Sequence, residues 1–197
     1  WFMLYIDLTE LVRKDELSME ILEAIRGRRS VRKYQPTEIT DDLVETLLEA
    51  ARWAPSGGNI QPWKFIVVRD RIARRMLKAV SPGLAGEPSA IIVACIDTRL
   101  TPNGAGTIRV LDMGASIQNI LLAAHALGLG ACWIGSVNWK GVKEVVGIPE
   151  QSSIEPISLI SVGYPAETPT PRTKRSIGEI AFREMFGTPR NGLEARG

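Results

Sequence analysis

The chain has 197 residues, with 24 Lys and Arg against 22 Asp and Glu, a single His and a net charge of +2. That near-balance, with 45% hydrophobic and 23% charged residues, excludes collagen-like, low-complexity and disordered classes and argues against a general nucleic-acid or anionic-membrane binder. One histidine rules out HExxH sites and multi-His metal cages, and two cysteines are too few for a disulfide framework.

A chain of this length buries roughly 70% of its unfolded surface, so one domain can hold a core without metal or disulfides. Residues 1–18 open as WFMLYIDLTELVRKDEL. The apolar stretch is short, is broken by Asp7 and Glu10, and lacks both a basic lead and a small-residue cleavage site, so we read it as a lead-in segment rather than a signal peptide or membrane span. Ser18 then reads as an N-cap for a helix with Ile21, Leu22 and Ile25 at helical spacing, stopped by Gly27. The basic run Arg28-Arg29-Ser30-Val31-Arg32-Lys33 follows.

Thr40 caps the next helix, whose stripe Leu43, Val44, Leu47, Leu48, Ala51 opposes Asp41, Asp42, Glu45 and Glu49. Trp63 to Val68 and Ala90 to Ile96 read as buried strands, with Arg71 to Val80 helical between them. Thr107 to Leu127 is the longest helix, apolar at Leu111, Ile117, Ile120, Leu121, Ala124 and Leu127, and expected to be mostly buried. Ala131 to Ile134 and Ile157 to Val162 are strands around a short helix near Lys140 to Val146. A Pro, Thr, Arg and Lys loop, Ala166 to Arg175, leads to Ile177 to Phe186. Cys95 and Cys132 sit in AIIVACI and GACWIG, where a thiol is a small core residue, so a reducing, cytoplasmic setting is expected. The pattern is one α+β domain.

Several chemistries lack their parts. In Gly128-Leu-Gly130-Ala-Cys-Trp133, Trp133 stands where a dinucleotide fingerprint needs glycine, and the glycines follow a helix. There is no GxxxxGK[ST], GxSxG or CxxC. His125, near a helix end, suits a structural cation on the helix dipole.

Two constellations remain. Arg28, Arg29, Arg32 and Lys33 around Ser30 offer forked donors and a hydroxyl to a phosphate; as a solvated loop they would be unremarked, and so would the second basic group, Arg172, Lys174 and Arg175. The stretch Ala54-Pro55-Ser56-Gly57-Gly58-Asn59-Ile60-Gln61-Pro62-Trp63 is richer in special residues than a turn needs. Its glycines and prolines allow close backbone approach, and Ser56, Asn59 and Gln61 suit a heterocycle with carbonyl and imide edges.

Arg28-Arg29-Ser30-x-Arg32, APSGGNIQPW, the central helix with Gln118-Asn119 leading into GLGACWIGS, and PRTKR, in this order from about Met19 to Ile180, resemble the nitroreductase family of FMN-dependent oxidoreductases. The resemblance implies a mixed, mostly antiparallel sheet flanked by helices, in a homodimer. Residues 19–197 would form one FMN-binding domain, with 177–197 as an arm crossing to the partner. Arg28, Ser30 and Arg32 would hold the FMN phosphate and the ribityl or pyrimidine side, with Arg29 acting chiefly through backbone. Arg172 and Lys174 would reach the same phosphate, with Arg175 as the alternative by one position. Pro55, Ser56, Gly57 and Asn59 would come from the neighbouring subunit, and Gly135 and Ser136, after Ile134, would present N–H groups near flavin N5.

The implied activity is ping-pong hydride transfer from NAD(P)H through the flavin to a nitroaromatic, quinone or similar small electron acceptor, with no side chain as dedicated acid or base, no metal, and no nucleic-acid or membrane partner. Two departures are visible: the region between Val68 and Ala90 is short, leaving Asn103 to Thr107 as the candidate lid, and Gly135 stands where an acidic residue precedes the glycine near N5 in other members. The alternatives are a flavoenzyme of the same fold catalysing dehalogenation or flavin cleavage, a non-catalytic flavin-binding protein, and a nucleic-acid binder using both basic loops.

Overall fold

The computed structural model describes residues 20–100 and 106–188. The expected lead-in segment, the Ser18 cap, most of the candidate lid and the end of the arm lie outside the described residues. In chain order the elements are α1 (Ile21–Gly27), α2 (Asp41–Arg52), β1 (Trp63–Val68), α3 (Arg71–Ala79), β2 (Ala90–Asp97), α4 (Gly106–Ala126), β3 (Gly130–Ile134), α5 (Trp139–Val146), β4 (Ile154–Gly163) and α6 (Ile177–Ile180).

The strands form one sheet in the order β1-β2-β4-β3, and every neighbouring pair is antiparallel. A single parallel bridge, Ser30 to Ala131, continues it past β3. The arrangement is therefore α+β with a mixed, mostly antiparallel sheet.

β2 reads as an unbroken apolar run because both of its faces are covered. Ala90, Ile92, Ala94 and Ile96 join Leu47 of α2 and Met113, Ile117 and Ile120 of α4 in one cluster. Ile91, Val93 and Cys95 point the other way, into a cluster with Leu77 of α3 and Val142 of α5. Burial pushes the Cys95 thiol up to about 12, so it stays protonated and inert.

Thr40 caps α2, its hydroxyl accepting from Leu43 N at 3.3 Å. At the other end, α4 adds donors to the last carbonyls: Asn119 Nδ2 donates to Ala50 O and Ser116 Oγ to Ala51 O, both at 2.9 Å. Asn119 therefore serves helix packing.

Two expectations change. In α1 the stripe Ile21, Leu22, Ile25 is exposed and only Ala24 is buried. The contact with α4 is made through a small residue: a Cβ on Gly27 would lie 2.5 Å from His125 Nε2. In the first half of α4, Leu111 is 67% exposed while Arg109 and Asp112 are buried. The inward stripe is Arg109, Asp112, Met113, Ser116, Ile117 and Ile120, which keeps helical spacing with polar residues at its start.

Those two polar residues grip the loop after α2. Arg109 Nη1 donates to Asp112 Oδ2 at 2.8 Å and to Gly57 O at 3.1 Å, while Gly57 N donates to Asp112 Oδ1 at 3.1 Å. Arg109 Nε is buried without a partner among the described residues. A buried pair is worth little net, but removing one member strands the other charge.

His125 is not the dipole-complementing cation that its place near the helix end suggests. Burial, and then the Arg28 and Arg29 charges, lower its pKa, so the neutral imidazole is the folded form.

Asp112→Ala should therefore cost about 3–5 kcal/mol in urea unfolding, and the Arg109→Met, Asp112→Leu double variant should recover most of that loss; equal loss in both would contradict the stranded-charge account. For His125 the unfolded chain takes up a proton near pH 6.5, the folded chain only at lower pH. Stability should thus fall as pH drops below about 6.5 and level off once the folded imidazole titrates. His125→Gln should flatten that slope in urea midpoints taken between about pH 7 and pH 5.

Candidate functional site

The basic loop is fixed by backbone pairing rather than by its own side chains. Val31 N donates to Ala131 O at 3.0 Å beside the Ser30 to Ala131 bridge. This approach needs glycine next door, because a Cβ on Gly130 would lie 2.7 Å from Val31 Cγ1. Arg29 turns back on α1, its Nη1 donating to Arg26 O at 2.7 Å and Arg28 O at 2.8 Å. Its guanidinium thus covers carbonyls at the helix end, where a cation is favourable.

Tyr34 anchors the far side of the loop. Its hydroxyl donates to Val31 O at 2.6 Å and lies 2.7 Å from Ser161 Oγ. Burial raises its pKa far above the usual phenol range, so the donor proton is retained. Residues 33–35 then run antiparallel to 164–166, through the Tyr34 to Pro165 bridge, Gln35 N to Tyr164 O and Ala166 N to Lys33 O, both at 2.9 Å.

That ribbon brings the two basic segments together. A cavity of about 530 Å3 is walled on one side by Arg28, Arg29, Ser30 and Arg32 and on the other by Pro169, Thr170, Pro171, Arg172 and Lys174. Arg175 does not line it. Arg28, Arg32, Arg172 and Lys174 make no ion pair with a carboxylate among the described residues. Forked guanidinium donors, an ammonium and the Ser30 hydroxyl are a donor set for a phosphate-sized anion, so the residues fit the phosphate of a mononucleotide.

From this cavity β3 leads away as a sheet edge, and four residue steps separate Ala131 from Gly135, roughly 13 Å. Gly135 and Ser136 are exposed at its end, and nothing stands within 4 Å of where a Gly135 Cβ would be. Ile134 is buried beneath them. Open space beside the end of a strand suits a flat ring system.

The loop Pro55 to Asn59 lies elsewhere, on the first half of α4, and none of its residues lines the cavity. Gly57–Asn59 is a single 3-10 turn, with Gly58 at φ 62° and Asn59 and Gln61 both at φ 53°. Gln61 N donates to Ser56 Oγ at 3.0 Å. The single chain thus joins 28–32 to 172–174 but leaves 55–59 apart. Among the described residues the segment after the cavity is helical only over α6, opened by a capping box between Ser176 and Glu179, and beyond it Met185 and Phe186 are exposed.

Tyr34, Arg109 and Asp112 were not signalled as site residues by motif. Only the last two left a trace, as polar residues on the inward phase of an otherwise apolar helix.

Comparison with known proteins agrees with this architecture. A family model described as the nitroreductase family matches residues 25–90 and 80–164. A protein of Archaeoglobus fulgidus named "Putative NADH dehydrogenase/NAD(P)H nitroreductase" is 42% identical over 154 residues, covering 75% of this chain and 87% of the relative. Its namesake in Methanothermobacter thermautotrophicus is 37% identical over 178 residues, covering 87% and 91%. A crystal structure from Desulfovibrio desulfuricans, described as "a putative nitroreductase in complex with FMN", aligns with a TM-score of 0.77 at 32% identity, over 86% of this chain and 99% of its own. By this family match and by relatives similar over three quarters or more of its length, the chain belongs to the nitroreductase family.

Proposed function

We propose that the protein is an FMN-dependent NAD(P)H oxidoreductase that reduces nitroaromatic, quinone or similarly electron-poor small molecules. The observation that carries this is the convergence of two basic segments, distant along the chain, on one cavity beside β3 whose lining suits a phosphate. The relatives' names supply the flavin and the nicotinamide donor. When bound, FMN supplies two-electron chemistry, taking a hydride from NAD(P)H and giving it up to the acceptor.

The chain's own residues bind and orient. Arg28, Arg32, Arg172 and Lys174 grip the phosphate with charge-assisted hydrogen bonds, and Ser30 adds a hydroxyl. Arg29 braces the loop from behind. The N–H groups of Gly135 and Ser136 would lie beside the ring and would favour negative charge on it. No side chain is needed to move a proton at this site, in keeping with His125 being packed against Gly27 instead.

Residues Pro55, Ser56, Gly57 and Asn59 serve the flavin of a second copy, so the working unit is a homodimer. Support comes from apolar side chains that the single chain leaves exposed: Ile21, Leu22 and Ile25 on α1, Ile108, Val110 and Leu111 on α4, and Ile177, Ile180 and Phe186 in the arm. Scattered singly they would mean little, but runs on three elements are the mark of an interface.

Purified protein should carry flavin absorbance released as FMN on denaturation, and sediment at twice the chain mass. Arg28→Ala or Arg32→Ala should weaken FMN retention about tenfold or more, from the loss of about 1.5–3 kcal/mol of charged hydrogen bonding, with circular dichroism unchanged. Equal flavin content in variant and parent would contradict the assignment.

A further inference from the structure

Beyond the ribbon of 33–35 with 164–166 the two segments part, one into the wall Arg28 to Arg32 and the other into the wall 169–174. A carboxylate sits at this fork. Glu167 Oε1 accepts from Arg32 N at 2.6 Å and from Lys33 N at 3.1 Å. It makes no ion pair among the described residues and accepts from two consecutive backbone N–H groups. Arg32 is held from its other side as well, since a Cβ on Gly86 would lie 2.3 Å from Arg32 O. On the tail side Pro169 and Pro171 fix φ and stiffen the path to Arg172 and Lys174. Where that path begins therefore decides where both cations end.

We infer that Glu167 is a positioning residue that staples the tail to the basic loop and sets the spacing of the two cavity walls. It touches no ligand. Its effect is felt through the backbone of Arg32 on one side and through the stiff tail on the other. This rests on the reading of the cavity as the FMN phosphate site, and it predicts that loss of the staple is felt by the phosphate and not by the ring.

The test compares Glu167→Ala, Glu167→Gln and the parent, each freed of flavin, for affinity toward FMN and toward riboflavin, which lacks the phosphate. Glu167→Ala should raise the FMN dissociation constant about tenfold or more and leave riboflavin binding unchanged, while Glu167→Gln, which keeps an acceptor oxygen, should lose less. On the flavin-free chain, amide exchange should quicken at Arg32, at Lys33 and across 169–174. Unchanged FMN affinity overturns the staple, and so does an equal loss of FMN and riboflavin, the sign of a general structural fault. A parent chain that binds neither flavin overturns the functional reading alone. The exchange result then still decides the staple, with unchanged rates at Arg32 and Lys33 counting against it.

Discussion

Like charges gathered around one cavity repel, and the rest of the site is arranged against that cost. A cavity of about 530 Å3 is roughly 10 Å across, and two unit charges at that distance repel by about 0.4 kcal/mol in water and about 1.7 kcal/mol at the effective dielectric of a protein surface. Arg28, Arg32, Arg172 and Lys174 face this without carboxylate partners among the described residues. Several such pairs, each between a few per cent and about a third of a typical stability of about 5–15 kcal/mol, are tolerable only if something else holds the backbone. A dianion entering the cavity converts the repulsion into attraction, which is how a weak local instability becomes binding energy.

Backbone pairing is what holds it. The bridge of Ser30 to Ala131 and the bridge of Tyr34 to Pro165 tie both ends of the loop to the sheet and to the chain leaving β4. Tyr34 closes the arch by reaching Val31 O and Ser161, and Gly130 permits the approach because it has no side chain to obstruct Val31. None of these contacts involves the guanidinium groups. The cations are thus left available for a ligand while the peptide that carries them is rigid, which is the preorganisation that binding of a small anion needs.

How much of this the sequence disclosed depended on whether the signal was local. Thr40, the unbroken apolar run of β2 and the glycines closing α4 act within a few residues, and each element formed within a few residues of where the pattern placed it. The basic loop and the basic tail were each visible as composition. Their meeting came only from the family resemblance and not from the residues themselves, because it is made by pairing between 33–35 and 164–166, a ribbon with no apolar alternation to announce it. Leu111 misled for a related reason. The inward phase of α4 is set by Met113, Ile117 and Ile120, and continuing that phase toward the N-terminus lands on Arg109 and Asp112, which an apolar stripe passes over.

Membership of the nitroreductase family accounts for the fold and for the flavin reading, and the claim most specific to this chain is that both basic segments grip one phosphate. A double-mutant cycle measures that directly: FMN dissociation constants for the parent, Arg28→Ala, Arg172→Ala and the pair together. Two residues on one phosphate should show a coupling of about 0.5 kcal/mol or more, as residues sharing a partner do. Strict additivity, or no effect from Arg172→Ala, would mean that the two walls do not act on the same group.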